Sequence, residues 1–310
     1  MLATAVSHAD DAARTVPLWP DQPPKWTAPD GQEGDLSKPD AQGVAGRPLI
    51  RLANVSAPEL HLFPADRSKT TVIVCPGGGL SILAWDLEGT EVAKWLQHNG
   101  VSVKVLQDAK CCGMPKLELG DLNKVASLKD ANLPTFLAAI EEGYDIIAPI
   151  PSCVLMYKQE LPLMFPEDEN IAKIKAHFFD PFEYLMLRHK AELVKTDFSH
   201  SLGKVAYHVA CHQRVQNFGM KTRDFLQLIP DTEVTAIERC SGHDGTYAVK
   251  EETYEKAMKI ARPVVRRVTE AEPDTFGSDC PMAGRLIAHG MEGEQEPQHP
   301  LSMVRKAYAI

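Results

Sequence analysis

Residues 101–113, VSVKVLQDAKCCG, run from a β-branched strand pattern into two adjacent cysteines, Cys111 and Cys112. The same grammar returns at 144–153, YDIIAPIPSC, at 204–211, KVAYHVAC, and at 232–240, TEVTAIERC, each an apolar strand followed by a cysteine. With Cys280 in SDCPMAG these form two matched sets. Cys112 and Cys153 stand 41 positions apart, and Cys240 and Cys280 stand 40 apart. Cys211 is the upstream member of the second set, and Cys75 in VIVCPGGG occupies the corresponding place in the first. Apolar strands alternating with helical patterns predict an α/β fold of mostly parallel sheets, with helices on both faces and two duplicated halves. In such sheets the loops leaving the carboxyl ends of the strands converge on one edge, where ligands bind. Thiols from several strands are therefore expected at a shared edge.

A chain of 310 residues suggests about two domains. Its 44% hydrophobic content is enough for a real core. The net charge of −9 argues against a nucleic-acid surface, which depends on Lys and Arg to neutralise phosphates. No apolar run approaches the ~20 residues of a membrane span. The opening MLATAVSHADDAART has no basic segment before its few apolar residues, so a cytoplasmic protein is expected, peripheral to a membrane only through a partner. Seven cysteines, an odd number in a chain too large to need disulfide staples, favour ligand or catalytic use in a reducing compartment.

Residues 1–48 hold seven of the 23 prolines and predict an irregular arm, laid on the surface through Trp19 and Trp26. LANVS, ELHLFPA and TTVIVC follow as strands. Thr90 is placed to cap a helix through His98 on Val92, Trp95 and Leu96, ended by Asn99-Gly100. Further helices are expected from Asp121, from Pro134, after Cys153 towards Met164, over 181–190 behind Asp180, over 222–228, from Thr246 to Arg267, and after Pro281.

The cysteines fit soft-metal chemistry. Thiolates suit iron-sulfur clusters or zinc, and nearby helix N-termini favour their negative charge. Adjacent Cys111 and Cys112 are poor partners for one disulfide, because Cα atoms about 3.8 Å apart lie below the usual bridging range. Buried free cysteine often packs as a small hydrophobe, and that reading is favoured for Cys75 alone. Around the other six, Gly, Pro, Ser, His and Asp crowd where a core would place Leu and Val. A Cys3His zinc set of Cys211, Cys240 and Cys280 with His212 or His243 is the second choice for that half, since it lacks a short CxxC spacing.

CCGMPKLELGDL, PSCVLMYKQELP, YHVACHQRVQ, ERCSGHDGTYAVK and SDCPMAG lie between Val105 and Ile310, a stretch that resembles the cysteine-rich CCG-domain iron-sulfur oxidoreductases. These include subunits of the heterodisulfide reductase B and anaerobic glycerol-3-phosphate dehydrogenase C type. The resemblance implies duplicated halves holding iron-sulfur centres of 4Fe-4S type. Cys111, Cys112 and Cys153 would serve the first half, and Cys211, Cys240 and Cys280 the second. It also implies electron transfer from a flavoprotein or ferredoxin-like partner to a disulfide or quinone acceptor. Met156 and Ala283 stand where the second cysteine of each CxxC would fall, and Ser241 replaces one of a paired set. His208, His212, Arg214, Lys221 and Thr222 either line an acceptor pocket or, for the last three, form a solvated helix start. His243 and Asp244 are cluster neighbours or turn residues by the same weighing.

Residues 16–104, with VPLWPDQPP and TTVIVCPGGGLSILAWDLEGTEVAKW, resemble the start of an α/β-hydrolase of acetylxylan-esterase type. There Gly77, Gly78 and Gly79 would be the oxyanion loop. The chain has no G-x-S-x-G elbow, and Ser81 lies within the glycine loop itself. The expected organisation is an arm (1–48), a truncated hydrolase-like segment (49–104) and two cysteine-rich halves (105–200 and 201–310). The expected function is an iron-sulfur electron-transfer subunit, with a carbohydrate-ester hydrolase or an inactive fusion as alternatives. Acyl transfer needs a nucleophile paired with a positioned base, so we expect no aryl-acetate turnover, no change on Ser81→Ala and no fluorophosphonate label at Ser81. Labelling there, located by mass spectrometry, would promote the hydrolase.

Overall fold

Strand β5 (Thr71–Val74), a β-branched run, occupies an interior position in a six-stranded sheet. It pairs in parallel with β7 (Ser102–Val105) on one side and β8 (Tyr144–Ile147) on the other. Beyond β8 lies the parallel β9 (Phe178–Phe179). Beyond β7 lie β4 (Glu59–Phe63) and β1 (Arg14–Pro17), both antiparallel. A second sheet sets β10 (Gly203–His208) between β11 (Thr232–Ile237) and β12 (Thr275–Ser278), all parallel. A small antiparallel sheet joins β2 (Gly34–Asp35), β3 (Arg51–Ala53) and β6 (Leu83–Ala84). This computed structural model describes residues 14–17, 31–37, 50–55, 59–63, 71–74, 83–84, 91–106, 109–245, 247–291 and 295–309. Trp19, Trp26, Cys75, the Gly77–Gly79 loop, Ser81 and the Thr90 cap lie outside them.

The α/β reading holds, with two refinements in its organisation. The arm contributes β1 as an edge strand, and the boundary drawn after residue 104 cuts through β7, which the hydrolase-like segment and the first half share. On β7 the buried Val103 and Val105 alternate with Ser102 and Lys104, as one face packs while the other is wetter.

The helices follow local chemistry. Helix α1 (Glu91–His98) buries Trp95 and Leu96. After α2 (Met114–Glu118) comes α3 (Leu122–Glu141), capped by Asp121, whose carboxylate accepts the Lys124 N–H at 3.1 Å. The sequence predicts two helices here, and the structure has one running through Pro134. That proline is on the exposed face, so the carbonyl it leaves unpaired meets water while Phe136, Ala139 and Ile140 pack on the other side. Helix α4 (Pro151–Leu155) continues through a π turn (Met156–Glu160) into α5 (Leu161–Met164). Two unpredicted helices, α6 (Glu169–His177) and, at the end, α12 (Pro300–Tyr308), flank the predicted ones. Between them, α7 (Pro181–Lys190) opens with a capping box in which Asp180 and Glu183 satisfy each other's main-chain N–H groups. Short α8 (Cys211–Arg214) and α9 (Lys221–Leu226) follow β10. The long α10 (Glu251–Glu270) begins later than the sequence suggests, after a 3-10 turn (Tyr247–Val249), and α11 (Pro281–Gly290) follows β12. Among the described residues no helix is long and apolar enough to cross a membrane.

One core joins the two larger sheets. Trp95 of α1 meets Phe225 of α9 edge-on at 5.9 Å and Phe182 of α7 at 6.4 Å, and Phe182 meets Phe225 at 5.7 Å. Val205, Tyr207, Leu301 and Val304 close around them. Removing a buried Phe ring costs about 3–5 kcal/mol, so Phe225→Ala is expected to destabilise by that order. Because the core spans both sheets, wild type and variant should each unfold in one transition, with far-ultraviolet dichroism and tryptophan fluorescence coincident.

Candidate functional site

The first cysteine set grows from the carboxyl ends of β7 and β8. Cys111 and Cys112 precede Gly113, whose φ of 94° is left-handed backbone that opens α2, and Cys153 sits in the first turn of α4. The thiols of Cys111 and Cys112 are close enough to shift each other's acidity, as Cys153 shifts that of Cys112. The Gly113 N–H is directed at the sulfur of Cys111, and the Met114 N–H at that of Cys112. The contact with Cys112, then burial, pushes the Cys111 thiol well up. For Cys112 the contact with Cys111 pulls down, but the contact with Cys153 and burial outweigh it. Asn132 of α3 shapes this turn. Its side chain is buried, Oδ1 accepts the Lys110 N–H at 2.6 Å, and Nδ2 faces the carbonyls of Lys110 and Cys111 at 3.1 and 3.3 Å. Nothing in the sequence marks Asn132, because a mid-helix asparagine more often faces solvent.

The second set repeats this placement. Cys211 opens α8 after β10, Cys240 follows β11, and Cys280 follows β12 as the N-cap of α11. Cys211 and Cys240 are in hydrogen-bond contact, and Cys280 is within electrostatic reach of Cys211. Burial pushes the thiols of Cys211 and Cys280 up, while for Cys280 the Ala283 and Met282 N–H groups pull the other way. The Gly242 N–H donates to Cys240 Sγ at 3.4 Å. Gly242 has φ +80°, and a Cβ there would stand 2.2 Å from the Ala257 carbonyl, so only glycine lets this turn press against α10. His208 is buried and does not line a pocket. Nε2 donates to the Arg239 carbonyl at 2.9 Å, leaving Nδ1 to accept from Ser278 Oγ at 2.9 Å, and Ser278 Oγ in turn accepts the Cys280 N–H at 3.2 Å. It pins Cys240 and Cys280 from behind.

The two sets face each other across a seam between α4 and α8. Ser152 Oγ and His212 Nδ1 are hydrogen-bonded at 2.8 Å, and Gln216 Nε2 donates to the carbonyls of Pro151 and His212 at 3.2 and 2.6 Å. Glu118, pushed up by burial, approaches His212 Nε2 only to 3.9 Å. That is beyond hydrogen-bond range, so the Ser152–His212 pair lacks the carboxylate that orients a catalytic imidazole. His243, pushed down by burial, stands near His212 and Asp244. Arg214 is exposed, whereas Thr222 is fully buried and so is not part of a solvated helix start. Among the described residues, no three His, Cys, Asp or Glu side chains are arranged to hold one metal ion.

Behind Cys280 lies a buried acid network with no mark in the sequence. Tyr207 Oη contacts Gln213 Oε1 at 2.6 Å and also Asp279 Oδ2. Thr222 Oγ1 donates to Asp279 Oδ1 at 3.1 Å, and Gln213 Nε2 donates to Thr222 at 3.0 Å and to Asp180 at 3.4 Å. A phenol carries one proton and an amide oxygen none. Both Tyr207 contacts are satisfied only if Asp279 is protonated and donates. Burial agrees, pushing Asp279 up to about 7 and Asp180 up to about 6.

Residues 88–158 and 205–282 each match the cysteine-rich domain family CCG, and the two matches take in Cys111, Cys112 and Cys153, then Cys211, Cys240 and Cys280. The chain thus carries two CCG-domain matches in tandem. It is 27% identical over 224 residues to the C subunit of anaerobic glycerol-3-phosphate dehydrogenase from Escherichia coli (strain K12), covering 71% of this chain and 55% of that protein. Lactate utilization protein A of Lysinibacillus sphaericus is 27% identical over 65% of this chain and 87% of its own. The B subunit of fumarate reductase (CoM/CoB) from Methanothermobacter marburgensis is 25% identical over 71% of this chain and 43% of its own. The chain thus spans little more than half the length of the glycerol-3-phosphate dehydrogenase relative. The first domain match opens inside the segment read as hydrolase-like, and the esterase resemblance gains no support.

Folded pKa values above the free carboxyl range of about 4 fix the sign of a pH effect. Stability from neutral Asp180 and Asp279 is fully present below that range and is lost as pH rises through about 6 to 7. Buried His208 and His243, held neutral, contribute with the opposite sign in the acidic part of this window. The acid contribution is therefore read against a variant: in a thermal-shift series, the melting temperature of metal-free wild type should fall relative to that of Asp279→Asn, which keeps a donor for Tyr207, as pH rises from about 5 to about 8.

Proposed function

We propose that this protein is an iron-sulfur electron-transfer subunit of an oxidoreductase, with one 4Fe-4S-type centre held by Cys111, Cys112 and Cys153 and another by Cys211, Cys240 and Cys280. The observation that carries this reading is the duplicated grouping of thiols at the carboxyl ends of parallel strands, with main-chain N–H groups of Gly113, Met114, Gly242, Met282 and Ala283 directed at sulfur. The relatives that are subunits of a dehydrogenase and a reductase support it. Such a centre, when bound, stores and passes single electrons. The chain's own part is to hold and tune it. The N–H groups stabilise thiolate charge, and His208 with Ser278 sets the positions of Cys240 and Cys280. His212 and His243 line the space between the sets, where an acceptor of disulfide or quinone type would approach. The donor would be a flavoprotein or ferredoxin-like partner, and the setting cytoplasmic or peripheral to a membrane through that partner.

Because the proposed ligands must lose protons that burial favours, loading should release protons into solution. Anaerobically purified protein is expected to contain iron and acid-labile sulfide in matched amounts. Cys112→Ser and Cys240→Ser should each remove roughly half the iron, since each touches one set. Zinc without sulfide, retained by Cys112→Ser but lost in Cys240→Ser, would replace the cluster reading with a zinc site in the second half. Protein free of both metals after anaerobic reconstitution would overturn the proposal.

A further inference from the structure

The segment leading into α12 passes unusually close to β12. Gln298 bridges to Gly277, its N–H donates to the Phe276 carbonyl at 2.9 Å, and a Cβ on Gly277 would stand 1.7 Å from the Gln298 carbonyl. Glycine is required for this approach, and the approach delivers His299 to the seam. The ring has two contacts of fixed sense. Nδ1 accepts the Leu301 N–H at 3.2 Å as the N-cap of α12, so the proton is on Nε2, which donates to the Pro149 carbonyl at 3.3 Å. The Asp279 carbonyl also acts electrostatically on the ring. Pro149 belongs to the loop that carries Cys153 out of β8, and Asp279 immediately precedes Cys280.

We propose that His299 is the positioning residue that fixes the two cysteine sets relative to each other: its imidazole N–H holds the Cys153 loop at Pro149, while its own segment is paired through Gln298 with β12, the strand that leads to Cys280. The redox consequence rests on the iron-sulfur reading, and the geometric one does not. Burial pushes this histidine down to about 4, so the ring stays neutral and the tie does not switch off at physiological pH. A neutral ring with one donor and one acceptor suits the two jobs, capping a helix and tying the Pro149 carbonyl, that it performs together. Exchange of an electron between two centres depends steeply on their separation, so a residue that sets the spacing of the loops sets that exchange.

Two substitutions separate the jobs. In His299→Asn the side-chain oxygen takes the place of Nδ1 and still caps α12, but the side chain is too short to reach the Pro149 carbonyl. In His299→Gln the amide nitrogen takes the place of Nε2 and keeps the donor. In metal-free protein, amide hydrogen exchange in segments 149–153 and 279–283 should rise about five- to tenfold in the Asn variant, as for loss of one hydrogen bond. It should stay near wild type in the Gln variant, with β11 unchanged in both. In anaerobically loaded protein, the Asn variant should shift both midpoint potentials and weaken the magnetic interaction between centres in electron paramagnetic resonance, and the Gln variant should restore them. Equal behaviour of the two variants, or faster exchange in only one loop, would overturn the proposal. Protein that loads no iron would refute the iron-sulfur reading while the exchange experiment still decides the role of His299.

Discussion

Where a parallel strand ends, the chain must turn within a few residues into the helix that carries it back, and the first N–H groups of that helix have no partner inside it. The structure places cysteines at five such turns, with a pair at the end of β7, and the unpartnered donors face sulfur. Gly113 and Met114 serve Cys111 and Cys112, while Met282 and Ala283 serve Cys280. This arrangement resolves a conflict that the local chemistry creates. Burial raises the cost of a thiolate at Cys112 and Cys280; the contact with Cys111 lowers it for Cys112, and fixed main-chain dipoles lower it for both. Once the donors are fixed, the glycines and tight contacts behind them follow, because a donor that drifts leaves a buried sulfur unsupported.

Around that constraint the rest of the molecule is arranged in two tiers. The nearer tier is polar and directional, with Asn132 behind Cys111, His208 behind Cys240 and Cys280, and Gln216 between the loops. The farther tier is apolar and shared, the Trp95, Phe182 and Phe225 cluster joining α1, α7 and α9. The polar ties set where the loops sit, and the shared core holds the two sheets that carry those loops together.

Much of this was legible in the sequence, and the reasons are local. β-branched runs marked β5, β7 and β8, Asp121 and Asp180 marked two helix starts, and the cysteine spacing marked the pairing of halves. Pro134 misled because a proline's effect depends on which face it occupies, and that face is fixed by packing against β8 and α6 rather than by neighbours in sequence. For Thr222 the sequence left two readings open, a pocket residue or part of a solvated helix start, and packing turned it inward to meet Asp279. Asn132, His299 and the Tyr207–Asp279 network were out of reach, because each joins residues far apart in the chain through groups whose types are common on any surface. The hydrolase alternative rested on Ser81 and Gly77–Gly79, which lie outside the described residues, and it gains no support elsewhere. At the seam, the Ser152 contact with His212 has its carboxylate 3.9 Å away and its histidine beside Cys211.

The positions at which this chain departs from its family's fuller cysteine pattern have distinct physical fates. Met156 is wholly buried, with its methyl 3.5 Å from where a Cβ on Gly113 would stand, so it props the turn that carries Cys111 and Cys112. Ala283 is buried and offers its N–H to Cys280, a donor where a thiol would otherwise be. Ser241 is buried beside exposed Cys240, and its hydroxyl oxygen accepts the His243 N–H at 3.4 Å. In each case the replacement keeps the loop geometry and surrenders one sulfur. Three thiols remain in each half, and the shape of each site is maintained by contacts that do not depend on the missing ones. A centre bound there would draw at most three cysteine ligands from its own set, and the neighbouring seam, with Ser152 hydrogen-bonded to His212 and His243 close by, supplies the polar side chains nearest to both sets.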